Sequence, residues 1–330
     1  MAVPGTDGEK YFSPEERMNS SKSIVWFTRD LSANGLKKVY SQIVNIFIGR
    51  MAIKLHTGEP DGPNIIKPEW VKDLINDKKL DATIVETNTL YGTERKTTQK
   101  HRATIKRNGW TFCPVDILDE FGVTNLPVKG GKWFDHMSVG RGIINYDCLL
   151  VLTHFKSHPM AGFGGSAKNI GIGCADGKIG KAMIHNRKKE LDIEKEELCE
   201  RFIESAKSIV DYFGNRIGYI NVMNNMSVDC DCTGVNAAPV VTPDVGILAS
   251  LDILAIDQAC VDLIYAMLDE DSKALRERME SRHGLRQLTY MKELGMGNPS
   301  YKLIDLDDPN KSEITPQQAV THIKPYKREI

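Results

Sequence analysis

Between His154 and His185 the chain reads HFKSHPMAGFGGSAKNIGIGCADGKIGKAMIH, with histidines and lysines set around a run of glycines. Imidazole has an ordinary pKa near ~6.5, so it trades a proton near neutrality or binds a metal through a neutral nitrogen. Glycine lets backbone amides approach a ligand closely and admits positive φ. The closely spaced Gly162, Gly164 and Gly165 therefore predict backbone folded around a ligand, with His154, Lys156 and His158 aimed at it. His283 and His322 lie in charged helical or tail sequence and read as structural.

The glycine run is neither of two common phosphate loops. A P-loop needs Gly before its Lys and Ser or Thr after it, whereas Ala167 precedes Lys168 and Asn169 follows. Gly171-Ile172-Gly173 is followed by Asp176 where a dinucleotide fingerprint has its third glycine. A less specific nucleotide or phosphate cradle and a plain structural turn both remain open.

Cys230-Asp231-Cys232 is a further cluster. One intervening residue is a poor match to the usual zinc or iron-sulphur spacing, and no second pair follows. With help from Cys174, these thiols could form part of a metal or redox site, since soft thiolates suit copper, nickel and iron. Glu59, Asp61, Glu86, Glu94, Asp244 and Asp252 lie in strand-end or turn-like segments, where carboxylates ligate hard cations, transfer protons or cap helices. Asp252, just before Ile253, reads as an N-cap.

The elements that must hold these groups alternate. Ser23–Phe27 reads as a strand and Ala33–Arg50 as a helix, followed by strand Met51–Leu55, helix Pro68–Asp77, strand Ala82–Glu86 and helix Thr97–Asn108. Further strands are expected at Asp147–Thr153, Ile217–Val222 and Gly246–Ser250, with helices at Ile193–Phe213 and Ile253–Leu268. The fold class is α/β: a mostly parallel sheet flanked by helices. In such sheets ligands sit beyond the carboxyl ends of the strands, and HTGEPDG, ETNTLYGTER and HFKSH each follow a strand end. The division expected is a polar leader over 1–22, one α/β domain over 23–300 and a C-terminal tail over 301–330.

With 43 basic and 44 acidic residues the formal net charge is -1, so no overall field favours nucleic acid or an anionic membrane. The seven cysteines are odd in number and scattered, which fits reduced thiols. There is no apolar run of about 18 residues and the start is polar and acidic, so a cytoplasmic protein is expected, with a small-molecule substrate and neither nucleic acid nor membrane as partner.

AIKLHTGE (Ala52–Glu59), ETNTLYGTER (Glu86–Arg95), HFKSHPMAGFGGSAKNIGIGCA (His154–Ala175) and DVGILASLDILAIDQA (Asp244–Ala259) together resemble domain of unknown function family 362. Its members often carry the label of uncharacterised iron-sulphur centre proteins. Many contain a ferredoxin-like insertion of repeated C-x-x-C-x-x-C motifs after the block ending near His185, where this chain has only Cys199. A more distant resemblance links HPMAGFGGSAK to the nickel-pincer lactate racemases. That resemblance implies His158 as acid/base catalyst, Lys168 as attachment point of a nickel-pincer nucleotide, and His185 as nickel ligand. Glu94 stands where those racemases have a second catalytic histidine, and a histidine-carboxylate pair serves an oxidoreductase or a lyase as well.

Three functions follow as expectations. The first is a racemase-like or redox enzyme binding a metal or nucleotide-derived cofactor and acting on a small molecule. The second is an iron-sulphur or other metal-binding redox protein built on Cys174, Cys230 and Cys232. The third is a non-catalytic nucleotide or phosphate-binding module.

Overall fold

The computed structural model describes residues 21–186, 193–321 and 323; most of the expected leader, and His322, lie outside these residues. β1 (Ser23–Thr28) leads into α1 (Ala33–Ile43), β2 (Met51–Lys54) into α2 (Pro68–Lys78), and β3 (Ala82–Glu86) into α3 (Thr98–Arg107). β4 (Val115–Ile117), β5 (Val123–Pro127) and β6 (His136–Gly140) precede β7 (Cys148–His154). A small hairpin of β8 (Lys156–His158) and β9 (Gly162–Gly164) then enters α4 (Ser166–Gly173) and α5 (Gly180–Ile184). The rest holds α6 (Lys195–Phe213), β10 (Ile217–Met223), β11 (Gly246–Ser250), α7 (Ile253–Ala266), α8 (Asp269–Ser281) and α9 (Arg286–Glu293), and then β12 (Tyr301–Asp305), β13 (Glu313–Ile314) and α10 (Pro316–Val320).

Local chemistry sets the helix starts. Ser32 accepts from the backbone of Asn34 and Gly35 at the head of α1, Thr97 accepts from Lys100 at α3, and Asp252 caps α7 through Leu254 and Ala255. Pro68 opens α2, where its missing N–H costs nothing. The first helix ends at Ile43, short of the expected Arg50; the chain passes through a 3-10 turn at Val44–Ile46 and then Gly49 at φ +90°.

The sheet order is β13-β12-β1-β11-β10-β7-β2-β3-β4. β10, β7, β2, β3 and β4 run parallel, and β11 lies antiparallel to both β10 and β1. The α/β expectation of a mostly parallel sheet flanked by helices therefore holds, with β11 as the reversal it did not anticipate. The stretch from Tyr301 is not only a tail. β12 pairs in parallel with β1, from Ser23↔Tyr301 to Phe27↔Asp305, and β13 pairs with β12.

Every residue of β7 is buried, because both faces of the sheet are covered. Leu149 and Val151 point to a core shared with Ile170, Phe202 and Leu254, whereas Leu150 and Leu152 point to one shared with Leu36, Val39 and Trp70. This period of two is what a strand imposes. Among the described residues, no helix is long and apolar enough to cross a membrane.

Candidate functional site

A pocket of about 1060 Å³, its open mouth included, lies beyond the carboxyl ends of β2, β3, β7 and β10, and is lined by residues such as His56, Glu86, His158, Lys168, His185 and Cys230. Parallel strands deliver their following loops to the same edge of the sheet, so segments far apart in sequence meet there.

The floor is a buried ionic cluster. Asp231 accepts from His154 Nδ1 at 2.9 Å and from Lys156 Nζ at 2.8 Å, and Lys156 also donates to the His154 carbonyl at 2.7 Å. Burial works against the Asp231 charge, but His154 and Lys156 hold its carboxyl below the usual range. His154 Nε2 lies 2.6 Å from the Asn224 carbonyl. Both ring nitrogens of His154 thus face acceptors, and the residue has no free lone pair for a ligand or metal. His154 and Lys156 instead fix Asp231, and with it the turn that carries Cys230 and Cys232.

His158 accepts the backbone N–H groups of Met160 and Ala161 at its Nδ1, at 3.2 and 3.0 Å. Burial, then the charge of Lys168, pulls its pKa down to about 4, so the ring is neutral and carries its proton on Nε2. That N–H hydrogen-bonds the Cys230 sulfur, and Lys168 Nζ lies 3.8 Å from the same atom. Cys232 is hydrogen-bonded to Cys230 as well, which, with Lys168 and His158, overcomes burial and holds the Cys230 thiol well below its usual range. The same bond to Cys230 raises Cys232.

On a second wall Glu86 accepts from Lys54 Nζ at 3.0 Å, from the Thr57 backbone at 2.9 Å and from Arg95 at 3.4 Å. Arg95 also donates to Glu59 at 2.8 Å. Burial opposes the Glu86 charge, but Lys54, His56 and Arg95 keep its carboxyl well below the usual range. An ionised Glu86 makes His56 Nδ1, 3.4 Å away, the donor, leaving a lone pair on Nε2, a buried atom with no partner. Burial and Arg95 lower the His56 pKa, so the ring is a neutral base.

His185 follows α5 and lies edge-on to Phe202, with ring centroids 5.9 Å apart. Its Nδ1 is buried without a hydrogen-bond partner, and burial, then Lys168, brings its pKa down to about 4.

The glycines have more than one reason. Gly164 and Gly165 line the pocket. Gly162, at φ +78°, lies outside it and packs against Gly284; an added Cβ there falls 2.5 Å from the Gly284 Cα. A Cβ on Gly165 meets the Asp257 carboxylate at 2.5 Å. That carboxylate accepts from Ser166 and Ala167 backbone N–H groups at 2.7 and 3.0 Å, and so fills the α4 N-terminus where a phosphate cradle would lie.

Two more expected residues are elsewhere. Glu94 is exposed and pairs with exposed Lys100 at 3.1 Å, because its turn directs the next residue, Arg95, inward instead. Cys174 is buried among apolar residues away from the pocket wall, and burial pushes its thiol up to about 12. It does not join Cys230 and Cys232. His56, Lys54 and Arg95 were not singled out from the sequence; Lys54, a lone cation within an apolar strand, was the available signal.

Two donor sets could meet a metal or cofactor. The donor atoms of His158, Cys230 and Cys232 lie within 4.8 Å of one another. Yet a ligating histidine ordinarily donates from its other nitrogen, and His158 Nδ1 is occupied as an acceptor, so metal binding at Nε2 would demand an imidazolate. His185 differs: its neutral ring has an unpartnered nitrogen on the wall that also carries the Lys168 amine.

A family model described as Domain of unknown function (DUF362) matches residues 51–262. The lactate racemase apoprotein from Thermoanaerobacterium thermosaccharolyticum is similar at a TM-score of 0.36 and 13% identity, covering 90% of this chain and 85% of that one. A Thermotoga maritima protein solved by the Northeast Structural Genomics Consortium is similar at a TM-score of 0.38 and 12% identity, covering 58% of this chain and 49% of that one. No curated protein matches. Since the matched region runs from the first residue of β2 into α7 and contains every pocket residue named above, the chain belongs to the DUF362 family.

Proposed function

We propose that this chain is a redox enzyme acting on a small anionic molecule, with a metal-containing or nucleotide-derived cofactor held by Lys168 and His185. The observation that carries this reading is the pair of buried, unpartnered imidazole nitrogens, His56 Nε2 and His185 Nδ1, on the walls of the pocket that also holds the Lys168 amine. Of the five cations that line the pocket, Lys54, Arg95 and Lys156 pair with Glu86, Glu59 and Asp231, whereas Lys168 faces the Cys230 sulfur and Lys181 donates to Thr87 and backbone carbonyls, an excess that draws in an anion such as a carboxylate.

A nickel-type cofactor held by Lys168 and His185 would supply a hydride acceptor. His56 takes the hydroxyl proton at Nε2, and Glu86 stabilises the imidazolium that results. His158 is an N–H donor through Nε2; with Nδ1 occupied it is not a base. One competent base favours oxidation over racemisation, which needs proton transfer at two faces. The exposed position of Glu94 agrees with that choice.

Elemental analysis and intact-mass measurement of protein purified anaerobically from a native-like host test the reading. The expected result is a metal and a covalent adduct mapping to Lys168, with the adduct absent in Lys168→Ala and the metal reduced in His185→Ala. A chain with neither metal nor adduct overturns it.

A further inference from the structure

A lysine amine, an imidazole and a second thiol converge on one sulfur in this pocket. Cys230 faces the Lys168 ammonium at 3.8 Å, the Nε2–H of His158 and the thiol of Cys232. The two sulfurs lie within 4.8 Å of each other and a single residue separates them in sequence. That residue, Asp231, turns away to His154 and Lys156, so the turn is pinned while both cysteines line the cavity. Cys230 is 3% exposed and Cys232 is exposed. A thiolate among cations and N–H donors is the nucleophilic form of cysteine, and a nearby second thiol is its resolving partner.

We propose that Cys230 and Cys232 form a thiol–disulfide exchange pair that reduces a low-molecular-weight disulfide entering the pocket, with Cys230 attacking and Cys232 resolving. The Cys230 thiolate bonds to one sulfur of the disulfide; the disulfide bond breaks and its electron pair leaves with the other sulfur as a thiolate. That thiolate takes the Cys232 proton and departs as a thiol. The Cys232 sulfur then attacks Cys230, closing the internal disulfide and releasing the second half of the substrate as a thiolate. Two electrons pass from the cysteine pair to the substrate. His158 and Lys168 are positioning residues in this sequence, since each holds the negative sulfur without exchanging a proton. The exchange belongs to the chain whose Lys168 amine is free, since a cofactor bonded there would remove the ammonium beside Cys230, so this proposal and the cofactor reading stand or fall separately.

Iodoacetamide labelling of the full chain at pH 6, followed by peptide mapping, reads which sulfur is the thiolate. Cys230 should be alkylated about tenfold faster than exposed Cys232, and Lys168→Met should slow Cys230 roughly tenfold, the effect of one pKa step on thiolate fraction. With oxidised glutathione, the wild-type chain should end as the internal disulfide, whereas Cys232→Ser should retain glutathione on Cys230. Labelling of Cys232 ahead of Cys230, glutathione retained on wild-type Cys232, or stoichiometric metal bound to the pair as purified would overturn the proposal. The wild-type mapping decides the matter even if a variant fails to fold.

Discussion

At the scale of single residues, the site is built from neutral imidazoles and a paired thiolate. His158 and His185 both have pKa values brought down to about 4, by burial first and Lys168 second, from an ordinary 6.5. Below about 6.5 the unfolded chain binds protons that the folded chain refuses, so stability falls as pH drops from there toward 4. The thermal midpoint should be lower at pH 4.5 than at pH 7, and His185→Leu should reduce that difference; a flat profile would contradict neutral buried rings. The two glutamates should separate as clearly. Glu86→Gln removes a buried carboxylate from Lys54, His56 and Arg95 and should cost about 3–5 kcal/mol in urea unfolding. Glu94→Gln disturbs one exposed pair and should cost under about 0.5 kcal/mol. Sequence spacing distinguished neither residue, because Glu86 ends β3 and Glu94 follows it within a few positions; only the direction of the chain there does.

At the scale of elements, α4 depends on α7. Gly165 supplies no side-chain cap, and Asp257 from α7 accepts the first α4 amides instead. Lys168 lies on α4, so this contact positions the amine proposed to carry a cofactor. Asp257→Asn replaces one acceptor oxygen with a donor and should cost about 1–2 kcal/mol. Gly165→Ala should cost about 1–3 kcal/mol through overpacking against the same carboxylate. Urea titration checks both, and a neutral Gly165→Ala would mean the loop is free to accommodate a ligand. The sequence marked the loop as special. The partner that fills it lies 91 positions away, beyond the reach of local pattern.

At the scale of the whole molecule, β1 and β12 pair across the length of the described chain. A chain ending at residue 300 loses β12 and β13 and bares the β1 edge, so it should aggregate or fail to purify as a soluble species by size-exclusion chromatography. A soluble, folded product would show that the sheet is complete without them. The alternation of strands and helices, the cap at Asp252, the helix start at Pro68, and the loops that bear function were legible in sequence, since period, capping and turn chemistry are local properties. Tertiary structure alone decided that His56 joins the pocket and Glu94 leaves it, that Cys174 is separate from Cys230 and Cys232, and that Asp257 occupies the glycine cradle. Each of those outcomes rests on long-range strand order and on the direction of a side chain out of a turn, which set distances and burial that no spacing along the chain encodes.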